Sequence, residues 1–577
     1  MADSIEKHEK EGDSSSGQCP SGSTEVDARE TQGLAATSGD AGVSADKEAP
    51  SNSRDVAAAE PEAEEYPHGF MLVMVLIALF MNTFLAALDL GIVATAIPQI
   101  TDEFRELDQV GWYGSAYFLT VGIFSPFWGK LYKYCQTKVV FLCTIAIFEV
   151  GSIVCATSPN SSALIVGRAI QGWGAAGILG GGFLIVHHVV APRRRPAFTG
   201  LLLAVFLCSS ILGPIIGGAF TTGVTWRWCF YINLPVGGLA VALILIFFHT
   251  PKHVKPVPAT LREIFLHLDP LGIVVIIASL VCYILALQWG GQTKPWSDGS
   301  VIATLVLWVF LTIVFVVVEY FVGEYAMVPP RLLKRRITWS NSLFGFILND
   351  PDWTFLYYLP IYFQSVQNLS AIDSGVANLT FLVMFSVGSL VGGNAVGRLR
   401  LVQPIATVGG LICTAGAALC YTLDESSTRS RYMGYQVLLG LGIGIGNQLP
   451  MTAVQGFSAP EDLASNTGVV LFAQMISGCY FVTAAQSIFS NVLVQALPRY
   501  APNVDPLQVL HTGATEIWDV FSGDELDGVL HAYTQGVKGA FALGLAGAAF
   551  SVLVSFTIPT KKLPSPEKES TPEGEAA

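Results

Sequence analysis

A chain of 577 residues that is 52% hydrophobic, with a mean hydropathy of +0.53, is not a water-soluble domain. Only 13% of it is charged, about half the ~25% of soluble domains. The net charge of −13 argues against nucleic acid, and it is concentrated at one end: residues 1–69 hold 16 acids against five bases, leaving 28 acids and 26 bases for the rest. Ten cysteines occur with no C-x-x-C pair and no clustered histidines, so neither a disulfide framework nor a metal is expected.

Residues 1–69 are rich in Ser, Gly, Ala, Asp and Glu and almost free of aromatics. Such a stretch cannot bury enough apolar surface to fold alone, and it reads as a disordered acidic cytoplasmic tail. No basic segment followed by a short apolar run stands near Met1, so no cleaved leader is expected and the first span directs insertion.

From residue 70 onward, apolar runs of about 20 residues recur, each long enough to cross ~30 Å of hydrocarbon. Fourteen are predicted, over 70–98, 110–128, 138–156, 162–187, 197–220, 229–249, 269–288, 300–322, 339–364, 374–394, 402–422, 432–452, 466–494 and 539–558. Asp350, Pro351 and Asp352 interrupt the ninth. Lys and Arg accumulate on the cytoplasmic side of short loops. With both termini inside, the inner loops and the 559–577 tail hold 18 of these residues and the outer loops seven, which supports that orientation. The segment 495–538 then lies outside, as do sequons beginning at Asn160 and Asn368.

Within span four, Arg168 stands in the apolar run LIVGRAIQGWGAAG. A charge at bilayer depth costs about 2.5 to 3.5 kcal/mol on insertion scales, so it normally faces a partner or a wet cavity. Two acids in predicted spans could take part with it: Asp89 in span one, read as a proton site or as a helix-stabilising cap, and Glu149 in span three, read as titrating or as structural. Gly172, Gly174 and Gly177 match G-x-G-x-x-G, but that fingerprint needs a preceding strand, so no nucleotide cofactor is expected. Gly172, and in span five Gly213, Pro214, Gly217 and Gly218, are read as helix-packing and gating residues, joined by Gly129 and Lys130 at the turn after span two. Gln171, Asn233, Tyr358, Gln364, Gln448 and Gln474 are the polar or aromatic candidates for lining a substrate cavity. A weak internal repeat at an offset of 268 residues pairs Gly129-Lys130-Leu131 with Gly397-Arg398-Leu399, Gly172 with Gly440, Gly174 with Gly442, and Arg168 with Gln436.

Several stretches resemble the major facilitator superfamily in its fourteen-span drug:proton antiporter branch. They are LDLGIVATAIP from Leu88 to Pro98, R-x-x-Q-G-x-G-A-A from Arg168 to Ala176, and GPIIGG from Gly213 to Gly218. WRWCFYINLP from Trp226 to Pro235 and YYLPIYFQ from Tyr357 to Gln364 resemble fungal carriers that export aflatoxin- and HC-toxin-like metabolites. One loop departs from the family pattern: GKLYKYCQTK carries Lys133 where G-x-L-x-D has its acid. The resemblance implies an all-α polytopic membrane protein with the major facilitator fold. Residues 70–249 would form one six-helix bundle, 250–337 a linker with two extra helices, and 338–558 the second bundle. It also implies a monomeric, proton-coupled exporter of an amphiphilic toxin, metabolite or drug, without cofactor, in the plasma membrane or a vacuolar or vesicle membrane. A siderophore or vacuolar amino-acid carrier is the runner-up. A membrane-embedded enzyme or sensor is the rival class, disfavoured because no nucleophiles, metal ligands or paired carboxylates converge in the sequence.

Overall fold

The computed structural model describes residues 69–106, 109–190, 195–250, 256–458, 462–512 and 516–563. The acidic tail 1–68, Arg193 and Arg194 of the basic turn, and residues 564–577 lie outside the described residues. The helices run in chain order as α1 (Gly69–Phe104), α2 (Val110–Tyr134), α3 (Thr137–Ala156), α4 (Ser161–Val189), α5 (Arg195–Gly223), α6 (Trp228–Tyr231) and α7 (Asn233–Phe247). Then come α8 (Leu261–His267), α9 (Pro270–Trp289), α10 (Gly299–Val322), α11 (Pro330–Leu333), α12 (Arg336–Ile361), α13 (Ala371–Leu399) and α14 (Gln403–Tyr421). The last are α15 (Arg429–Asn447), α16 (Leu449–Phe457), α17 (Leu463–Tyr500), α18 (Pro506–His511), α19 (Ile517–Val520) and α20 (Asp524–Ser555).

Eleven of these segments are long and apolar enough to cross a membrane. Inside hydrocarbon no water can satisfy backbone N–H and C=O groups, so an apolar run closes its own hydrogen bonds as a helix. Local signals set the ends. Asn160 accepts from the Ala163 amide at 2.9 Å to cap α4, so this sequon asparagine is a helix cap. Ser370 accepts from Asp373 to cap α13, and Thr260 with Glu263 forms a reciprocal capping box on α8.

The structure corrects three expectations. Asp350, Pro351 and Asp352 do not interrupt the ninth span, because α12 runs unbroken through them. Thr354 donates to Asp350 Oδ1 at 3.0 Å, and the absent side chain of Gly547 leaves room for the carboxyl, whose Oδ2 stays unpartnered. The last long helix begins at Asp524 rather than 539, since Asp524, Glu525 and Asp527 suit the positive end of a helix dipole although none is apolar. The twelfth run is split into α15 and α16 at Gln448, just before Pro450.

The ends of α2 and α4 and the start of α17 border one cavity and so share one face, the one that the charge count expects to be inner. The repeat holds in three dimensions. Gly172 of α4 sits against Tyr117 and Thr120 of α2, while Gly440 of α15 sits against Phe381 and Phe385 of α13. Gly174 meets Phe148 of α3, and Gly442 meets Cys413 of α14. Gly129 and Gly397 also behave alike, since a methyl group at either would meet nothing within 4 Å; close packing does not require glycine at Gly129 in this conformation.

Contacts between the α1–α7 and α12–α20 sets gather toward the outer ends. A methyl on Gly218 of α5 would stand 2.5 Å from the Ala371 carbonyl of α13, and one on Gly375 would stand 2.5 Å from the Pro214 carbonyl. Ser115 of α2 pairs with Thr483 of α17 at 2.7 Å. At the inner ends lies a cavity of about 1040 Å³, bordered by Ser125 of α2, His188 of α4, Arg331, and Gly468 of α17. The inner-face segment 323–335 clamps its surroundings. Lys130 donates to the Tyr325 and Ala326 carbonyls at 2.8 and 2.9 Å, and Arg331 and Arg335 grip Asp462. The Arg331 hydrogen bonds hold the Asp462 carboxyl below the usual carboxylate range, so this clasp persists at neutral pH and is lost only as the pH falls through that lowered value.

Two glycines on one helix test the packing argument. Gly174→Leu drives its side chain into α3 and should lower stability by at least ~1–3 kcal/mol, whereas exposed Gly180, with nothing within 4 Å, should tolerate leucine. Thermal unfolding of the two purified variants makes the comparison, and equal midpoints would refute the packing role.

Candidate functional site

Two of the residues that carry charge into the apolar interior, Arg168 and Asp89, meet at one point. Arg168 and Asp89 are 0% and 1% exposed, and Arg168 Nη1 donates to Asp89 Oδ2 in an ion pair. Asp89 lies well inside α1, which overturns its reading as a helix cap. Gln171, one turn beyond Arg168 on α4, spans the pair: its Oε1 accepts from Arg168 Nη1 at 2.8 Å and its Nε2 donates to Asp89 Oδ1 at 2.8 Å. The guanidinium carbon lies 4.2 Å from the Tyr117 ring centroid and 5.9 Å from that of Phe230. Arg168 Nε donates to the Tyr113 carbonyl of α2 at 3.0 Å.

This geometry has a simple electrostatic basis. Removing two charges from water costs several kcal/mol each, and attraction offsets that only where close hydrogen bonds use the remaining lone pairs and protons. Gln171 and the Tyr113 carbonyl serve that purpose here. From Gln171 the polar chain continues to Ser152 of α3 at 3.0 Å, and Asn233 of α7 donates to the same hydroxyl at 3.0 Å. Glu149 stands one turn before Ser152 on α3, with its carboxylate in the space left by Gly237, one turn after Asn233 on α7. Neither of its carboxylate oxygens has a hydrogen-bond partner. Asp89, Arg168, Gln171 and Asn233 therefore form one connected group, and Glu149 lies one helical turn from it toward the inner face.

The span-five residues act beside this group. A methyl on Gly213 would stand 3.2 Å from the Ile92 amide and 3.3 Å from the Leu88 carbonyl, and one on Gly217 would reach the Ile92 carbonyl and, at 2.5 Å, Thr95 Oγ1. The Pro214 carbonyl accepts from Thr95 at 3.3 Å. The α1 segment holding Asp89 is thus packed directly on α5.

The six cavity candidates do not share one surface. Gln171 and Asn233 belong to the charged group, while Tyr358 donates to Gln486 at 2.8 Å. Gln364 reaches the Thr95 carbonyl and Ser374 at 3.4 Å, Gln474 donates to the Asn447 carbonyl at 3.0 Å, and Gln448 ends α15. Sequence reasoning missed Ser152, Tyr113, Tyr117 and Tyr357. The Tyr357-Tyr358 doublet was a usable signal, since neighbours on a helix point about 100° apart and only one can face α2. Tyr357 is the one that does, with its hydroxyl 2.7 Å from the methyl position of Gly114.

Comparison with known proteins adds to the geometry. A family model described as Major Facilitator Superfamily matches residues 79–482. The chain is 56% identical to an efflux pump of Aspergillus sp. strain MF297-2, over 87% of this chain and 89% of the relative. It is 52% identical to a dehydrocurvularin exporter of Alternaria cinerariae, over 92% of each. Among solved structures, a bacterial homologue of the human lysosomal transporter Spinster, inward-facing and occupied, superposes with a TM-score of 0.60 at 14% identity, over 87% of this chain and 100% of that one.

Breaking a buried ion pair from one side leaves an uncompensated charge and costs roughly 3–5 kcal/mol. Arg168→Ala should therefore lower the unfolding midpoint markedly, and Asp89→Asn in that background should recover much of the loss. Calorimetry on the purified single and double variants measures this, and additive losses would disprove a direct pair.

Proposed function

Because the chain belongs to the Major Facilitator Superfamily and is a multi-pass membrane transporter, we propose that it exports an amphiphilic secondary metabolite from a fungal cell across the plasma membrane, in exchange for protons. The relatives support the direction and the class of cargo, since two that match over most of their length are named as an efflux pump and a metabolite exporter. The carrying observation for proton drive is the buried Asp89–Arg168 pair bridged by Gln171.

The mechanism follows from charge. Protonating Asp89 removes the attraction that holds the guanidinium, so the group has two arrangements, paired and unpaired. A proton bound from the outside favours the second, and its release inside restores the pair. Glu149, one turn toward the inner face with both oxygens unpartnered, is the next stop for that proton. Residues 70–249 and 338–558 serve as the two moving bodies, residues 250–337 supply an inserted pair of helices, and fourteen crossings place both termini in the cytoplasm. Gly213, Pro214, Gly217 and Gly218 transmit motion between the charged group on α1 and the α5–α13 seam. The transporter works as a monomer with no cofactor.

The energetics suffice. One proton entering down 100 mV releases about 2.3 kcal/mol and one pH unit adds about 1.4 kcal/mol, together enough for a several-hundredfold gradient of a neutral cargo.

In proteoliposomes with an imposed pH gradient, the wild type should accumulate dehydrocurvularin uphill. Asp89→Asn should retain downhill exchange and lose the response to pH, because its side chain stays neutral. Undiminished pH-driven accumulation by Asp89→Asn or Arg168→Ala would exclude this pair from coupling.

A further inference from the structure

Among the buried polar groups left without partners near the boundary of the helix sets, two lie at the same turn of α2. Arg168 uses Nη1 for Asp89 and Gln171 and Nε for the Tyr113 carbonyl, but Nη2 is buried and makes no hydrogen bond. On the other side, Tyr357 of α12 is 0% exposed and its hydroxyl is also unpartnered. Both approach the same turn of α2 from opposite sets. Arg168 bonds the carbonyl of Tyr113, and the Tyr357 hydroxyl lies over Gly114, the next residue, where a methyl group would stand only 2.7 Å away. A buried donor left unpaired costs about 1–3 kcal/mol, so two of them beside one turn of α2 require an explanation.

Their chemistry restricts that explanation. A guanidinium can only donate, and a tyrosine whose oxygen accepted from it would still have its own O–H unsatisfied. Both are satisfied together by an oxygen with two lone pairs presented between them. We infer that Arg168 Nη2 and Tyr357 Oη form a substrate-binding clamp for a carbonyl or phenolic oxygen of the exported molecule, held between the two halves of the transporter. The inference rests on the export reading above and adds to it the polar group by which cargo is recognised. The Tyr117 ring against the guanidinium fixes the plane in which Nη2 points, and the Asp89 bond fixes its rotation. A cargo spanning α4 and α12 would feel both moving bodies at once, which links occupancy to the rocking of one against the other.

Tyr357→Phe deletes the hydroxyl and leaves the ring packed against Phe118. With dehydrocurvularin as the probe in proteoliposomes, this variant should need roughly five- to tenfold more substrate for half-maximal transport, the loss of about one net hydrogen bond. Thermal unfolding of the empty protein supplies the second readout. Because the hydroxyl has no protein partner, Tyr357→Phe should be at least as stable as the parent. An unchanged half-saturating concentration overturns the clamp, and so does a lowered unfolding temperature, which would reveal a structural bond instead. A wild type that neither binds nor carries dehydrocurvularin would instead sink the export reading for this class of molecule.

Discussion

One arginine buried at membrane depth constrains everything around it. Arg168 cannot lose its charge, so the fold must deliver an anion and acceptors to it, and α1, α2 and α4 do so through Asp89, the Tyr113 carbonyl and Gln171. That requirement holds three helices in register more tightly than apolar contact could, because hydrocarbon packing is non-directional while a guanidinium has fixed donor directions. The attraction in the pair depends on Asp89 being charged, which is why the proposed coupling is placed there.

Glycine supplies the second constraint. Helices in lipid gain little from burying apolar surface, so their association depends on close approach. Gly172 and Gly174 bring α4 onto α2 and α3, and Gly440 and Gly442 do the same for α15 on α13 and α14. The duplication thus preserves a packing device and not a charge: Arg168 has Gln436 at its repeat position, where the Nε2 atom simply bonds back to the Tyr432 carbonyl of its own helix. The α1–α7 set carries the ion pair, and Tyr357 comes from α12 of the other set.

The segment after α10 shows how a connection outside the long helices is secured. The segment after α10 takes hydrogen bonds from Lys130 at its carbonyls and from buried acids at its amides, with Asp269 accepting from Met327 at 3.0 Å and Glu319 from Val328 at 2.7 Å. Lys130 and Lys133, the latter in place of the family's usual acid, lie in the last turns of α2 and not in a loop. That end of α2 is tied to the segment after α10 through backbone carbonyls, a contact that does not need the missing carboxylate.

Much of this was legible without coordinates. Apolar runs of span length give helices because the bilayer leaves the backbone no alternative, and a lone arginine among them had to be partnered. Asp89 and Glu149 were the two acids in apolar spans that could take part with it, and the structure pairs Arg168 with Asp89. The sequence could not show that Gln171 and Asn233 join the same polar chain through Ser152, since those contacts link α3, α4 and α7 across 19 and 81 residues. It misplaced the start of α20 and saw a break in α12, because hydropathy records how apolar a residue is and not whether a neighbour satisfies it. The choice of Tyr357 over Tyr358 belongs to the tertiary structure alone. Composition and periodicity determined which segments enter the membrane and which residues carry charge there; only the packing of helices distant in sequence decided which donors met acceptors and which were left open.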